Sequence, residues 1–128
     1  MKKIFILSLF TSSVFASKID IESYSSSLDF AQVTNVVATQ KADGNWCFSA
    51  SVQHNDQGWD HYADGWEVID FEGNLIGERP LGHPHVNEQP FTRSQCNIKI
   101  PNDLSQVIVR AKCNKHGFGG KPMVVDLQ

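Results

Sequence analysis

The chain has 128 residues and a formal charge of −3 at pH 7, and it is 41% hydrophobic and 20% charged. That length holds one domain with one core. With no basic stripe or basic helix, neither nucleic acid nor an anionic membrane surface is expected as a partner.

Residues 1–16 read as an export signal. Lys2 and Lys3 give a positive start, and the run from Ile4 to Phe10 is apolar apart from Ser8. Val14-Phe15-Ala16 suits the small-residue positions before a signal-peptidase cut. The run is too short to span a bilayer, so no membrane insertion is expected after its removal. No cysteine follows the cut, so a lipid anchor is not expected, and the location is periplasmic or secreted. Residues 17–32 hold a serine-rich patch and read as a lead-in segment.

From residue 33 to the end the pattern is all-β. Segments rich in Val, Ile, Trp and Phe alternate with Gly, Asn, Asp and Pro. Strands are expected over 33–40, 45–53, 65–70, 75–81, 91–100, 105–113 and 122–127. Seven such strands make an antiparallel sandwich of the immunoglobulin or fibronectin-III type. Trp66 and Val68 share one face of the third strand and belong to the core. Leu104, between Pro101 and Val107, reads as an apolar plug where the chain crosses between sheets.

If the strands run alternately up and down, the connections sort into two ends. KADGN, FEGN and PNDLS are compact turns at one end. HNDQGWDHYAD, GHPHVNEQP and NKHGFGGK lie at the other, and they hold all five histidines. Rigid scaffolds commonly place their sites on such loops.

His83 and His85 flank Pro84, which stiffens the segment and drives the preceding residue to extended geometry. Residues two apart on extended chain point to one side, so the two imidazoles form a pair. His116 stands beside Gly117, Gly119 and Gly120, which permit close backbone approach. The reading is a metal site of His83, His85 and His116, with His61 or Glu88 as a fourth ligand. Three imidazoles suit copper or zinc rather than calcium or magnesium. Asp60, Asp64, Glu88 and Arg93 would orient the rings from outside. The alternative is an ion-free hydrogen-bonded network tying the loops together. A second function class is a recognition domain that presents Trp59, Tyr62 and Phe118 to an exported or cell-surface ligand: a glycan, a peptide or a partner protein.

Two resemblances bear on this. Cys113-Asn114-Lys115-His116, followed by Met123, resembles the ligand loop of cupredoxins, exported sandwiches that carry one electron on copper. That resemblance implies Cys113, His116 and Met123 as ligands, with His83 or His85 upstream. Six residues separate His116 from Met123, a longer loop than the cupredoxin pattern. The segments GWDHYADGWEV, HPHVNEQPFTR and HGFGG resemble a family of small exported bacterial proteins over residues 36–127. This second resemblance implies export and a compact β-domain, and it carries no activity.

Three cysteines in an oxidising compartment leave one unpaired within the chain. Cys96 shares strand parity with Ile98 and Ile100, and Cys113 with Val109 and Ala111. Both are therefore expected to face inward on consecutive strands as a Cys96–Cys113 disulfide, with Cys47 left over. That bond would remove Cys113 from a copper site. No nucleophile elbow, zincin motif or phosphate loop occurs, so a non-catalytic role is expected. A metal-bound water used for hydrolysis is the remaining catalytic alternative.

Overall fold

A computed structural model describes residues 19–127 of the chain; the expected signal segment lies outside the described residues. The strands are β1 (Gln32–Gln40), β2 (Trp46–Gln53), β3 (Ala63–Ile69), β4 (Leu75–Pro80), β5 (Phe91–Ile98), β6 (Gln106–Cys113), β7 (Gly117–Phe118) and β8 (Met123–Asp126). One sheet has the order β1-β2-β5. The other runs β4-β3-β6, and both β7 and β8 pair with the far edge of β6. Every pairing is antiparallel. No helix among the described residues is long and apolar enough to cross a membrane.

The all-β, two-sheet expectation holds, with eight strands where seven were expected. The additional strand is β7, two residues inside the expected last loop. Gly117 takes a φ of 67° and reverses the chain just after Cys113. Gly117 and Phe118 then pair back onto Cys113 and Lys112.

Alternation along each strand builds the core. Phe48, Ala50 and Val52 of β2 face Val107, Val109 and Ala111 of β6, joined by Val33, Trp66, Val68 and Phe91. Trp66 is buried as expected, and each large side chain of this kind contributes roughly 1.5–3 kcal/mol by leaving water. Leu104 packs half-buried against the core, in the plug position.

The sequence places Cys96 inward, and the structure corrects this. Phe91 and Ile98 are both buried, an odd spacing that regular alternation forbids. A β-bulge resolves it: Trp46 pairs with Ile98 but Phe48 with Gln95, so β5 carries one extra residue. Asn97 absorbs the irregularity with a φ of 60°, a region asparagine tolerates better than most residues. Cys96 therefore shares the outer face with Ser94 and Thr92. There Ser49 Oγ lies 2.5 Å from Ser94 Oγ, and Ser51 Oγ lies 2.7 Å from Thr92 Oγ1. The next rung is a Cys47–Cys96 disulfide, and Cys113 is the free, buried thiol. The expected Cys96–Cys113 bond is not formed.

A thiol titration without reductant should find nothing reactive in native protein and one thiol per chain after denaturation. Three thiols would overturn the pairing. Changing both Cys47 and Cys96 to alanine should cost about 2–4 kcal/mol in denaturant unfolding, because the reduced chain gains loop entropy.

Hydrogen bonds tie the three long loops into one end. The His85 N–H donates to Asp56 Oδ2 at 2.7 Å, the His54 N–H to Gln89 Oε1 at 3.0 Å, and the Asn114 N–H to the Tyr62 carbonyl at 3.1 Å. The lead-in segment joins this end to the other. The Ile19 N–H donates to Phe71 O at 3.0 Å, the Ser25 N–H to Gly119 O at 2.8 Å, and Leu28 O accepts the Asn55 N–H at 3.0 Å. Residues 19–31 thus form a strap running from the simple turns to the histidine loops.

Candidate metal centre

β2 carries its inward alternation one step past the sheet, so His54 follows Phe48, Ala50 and Val52 to the rim of the core. It is 1% exposed. The loop then doubles back: the His61 N–H donates to Gly58 O at 3.2 Å, and the Gln57 N–H to His61 O at 2.9 Å. Gly58, at a φ of 131°, allows this turn. His61, 4% exposed, returns edge-on to His54, with ring centroids 4.7 Å apart and Nε2 atoms 3.2 Å apart. Cys113 ends β6 opposite Ala63 and is 2% exposed. One ligand atom from each of His54, His61 and Cys113 lies within 4.8 Å of the other two.

A buried carboxylate holds the first ring. Asp56 Oδ1 stands 2.6 Å from His54 Nδ1 and also accepts the Ala63 N–H at 2.9 Å, while Oδ2 takes the His85 N–H. A carboxylate only accepts, so a proton sits on His54 Nδ1 and leaves Nε2 as the nitrogen that faces the cluster. That is the arrangement of a metal-ligating histidine held by an acid. On the outer side, the His116 N–H donates to Cys113 Sγ at 3.2 Å. The His116 ring meets His61 edge-on at 5.0 Å and Phe30 at 5.4 Å.

The sequence-derived candidates are thus divided. His61 is in the cluster, and His116 stands against it. His83 and His85 do lie side by side, with ring centroids 4.5 Å apart, but they are not among the three converging ligands. His83 is exposed. His85 stacks on Phe91 at 3.9 Å, and its Nε2 accepts from Arg93 at 2.8 Å. Burial, with the Arg93 and His83 charges adding to it, lowers the His85 pKa and favours the neutral ring. Arg93 also meets Glu88 at 3.5 Å, an exposed pair of little energetic weight. Asp60 is exposed, and Asp64 pairs with Lys112 at 2.9 Å. The acid that orients a cluster histidine is Asp56, which the sequence reading did not select.

His54 also escaped selection, although β2 parity would have pointed to it. Met123 is registered with Val109, four residues back along β6 from Cys113, so the cupredoxin-like loop does not bring it to the sulfur. Trp59 is 65% exposed and packs edge-on against Tyr62 at 5.6 Å. Phe118 lies apart from this pair, beneath the Arg110 guanidinium at 4.1 Å.

Among known proteins, the chain is similar to one from Halomicrobium mukohataei described as "Putative lipoprotein". The two are 38% identical over 109 residues, which is 84% of this chain and 53% of that protein. The chain therefore spans about half the length of that relative. No protein-family model matches the chain, and no solved structure matches it.

Proposed function

We propose that this chain is an exported β-domain that holds one transition-metal ion, copper or zinc, between His54 Nε2, His61 Nε2 and the Cys113 thiolate. The observation that carries the reading is the convergence of three buried ligand atoms within 4.8 Å. Two imidazoles with a thiolate suit copper and zinc, whereas hard cations call for oxygen. Asp56 adds the acid that fixes a ligand histidine. Export is supported by the leader-like residues 1–16 and by a relative described as a lipoprotein. Its location is periplasmic, secreted or at the cell envelope. For the scaffold, we take the two-residue β7 as an addition to a seven-stranded immunoglobulin- or fibronectin-like sandwich.

Metal analysis of untagged protein should find one ion per chain, with copper and zinc titrations saturating at that ratio. A His54→Ala, His61→Ala double variant should lose it, and His83→Ala should keep it. Wild-type affinity in the double variant would sink the proposal. Copper giving an intense visible thiolate band would identify the ion as copper bonded to sulfur. A second reading rests on the exposed Trp59 against Tyr62: this aromatic pair is a docking surface for a glycan, peptide or partner protein. Loss of ligand in a Trp59→Ala variant during a glycan and peptide screen would support it.

A further inference from the structure

We infer that the main-chain carbonyl of Asp29 is the fourth donor of this centre and closes it to water, so that the ion is held rather than used to activate water for hydrolysis. This rests on the metal reading above and adds a ligand that no side chain supplies. Asp29 O lies 3.1 Å from His54 Nε2, 3.3 Å from His61 Nε2 and 3.5 Å from Cys113 Sγ. The two Nε2 atoms are themselves 3.2 Å apart. Donors on a tetrahedral ion with bonds of about 2.0–2.3 Å stand roughly 3.3–3.6 Å from one another. Four of the six edges of such a tetrahedron are therefore already near their bound lengths.

The direction of the carbonyl points the same way. Asp29 O faces both ring nitrogens and the sulfur at once, so a cation at the centre of the four atoms would meet every one of them and would also neutralise a thiolate.

The carbonyl is held for this task. The buried Gln32 side chain donates to the carbonyls of Ser25 (2.9 Å), Ser27 (3.0 Å) and Phe30 (3.1 Å). Its own oxygen accepts the Lys121 N–H at 3.0 Å. The strap lies so close to Gly120 that a Cβ there would collide with the Ala31 carbonyl. Structural metal sites complete four ligands from protein, whereas hydrolytic sites leave one position for water. Here the fourth position belongs to the strap.

Cobalt(II) is the probe, because its visible bands report both sulfur ligation and coordination number. The wild-type adduct should show a sulfur-to-cobalt band and tetrahedral bands that saturating azide does not shift. Gly120→Ala, which pushes the strap outward, should become azide-sensitive while keeping the sulfur band. An azide-dependent spectrum in wild type would overturn the closed fourth position and leave the metal reading intact. Failure of the wild type to bind cobalt, zinc or copper would overturn both.

Discussion

Replacing Asp56 with alanine is expected to destabilise the protein by about 3–5 kcal/mol, because one buried acceptor serves three donors at once. The side chain is fully buried. It receives three donors, His54 Nδ1 and the amides of Ala63 and His85, which belong to two of the three long loops and the start of β3. Alanine would leave all three unpaired, and each orphaned buried donor costs roughly 1–3 kcal/mol where water cannot reach it. Asp56→Asn is the informative comparison. It keeps one acceptor oxygen but turns an amide N–H₂ toward donors, so it should lose part of the stability. It should also weaken metal binding by about 10- to 100-fold, as outer-sphere changes commonly do. Urea unfolding and metal competition titrations would measure the two effects. A loss below about 1 kcal/mol in Asp56→Ala would show that the carboxylate does not organise this end.

Cys113→Ala is expected to weaken copper or zinc binding by more than about 100-fold, beyond the range of outer-sphere substitutions. The structure makes this a clean test. Cys113 is the one cysteine outside the disulfide, so its removal leaves no thiol to rearrange. Alanine is tolerated in the core, and the His116 amide that now donates to sulfur belongs to an exposed residue. The variant should therefore fold, and its binding loss can be read as loss of a ligand. Competition against a coloured chelator gives the affinity, and with copper any sulfur-derived band should vanish. Unchanged affinity would remove sulfur from the centre and reduce it to a pair of histidines.

Much of the scaffold was legible because alternation and turn chemistry are local. The strand segments, the inward Trp66 and Cys113, and the grouping of the histidine loops all follow from counting along the chain. β7 was not legible, since two residues have no periodicity. The disulfide is hidden for a similar reason: strand parity along β5 points Cys96 inward, and the bulge at Asn97, which reverses it, has no local signature. At the site, Pro84 does make His83 and His85 neighbours, but the buried His54 and His61 are seven residues apart and meet only because the loop doubles back. His54 lies in a loop by sequence, yet it stands one step past β2 and continues that strand's inward parity. A main-chain carbonyl leaves no mark in sequence at all, and the strap that carries it is legible only as a serine-rich lead-in.

The bulge in β5 has a consequence for the sorting of sulfur. Three cysteines present three intramolecular pairings, and two of them would consume Cys113. One extra residue at Asn97 turns Cys96 onto the outer face, where Cys47 already stands. Cys113 lies on the inner face of the opposite sheet, buried from both. The correct bond forms between neighbouring strands of one sheet, while either wrong bond would have to reach through the core. Once the sheets are closed, an oxidant has one adjacent pair to act on, and the third sulfur stays out of its reach.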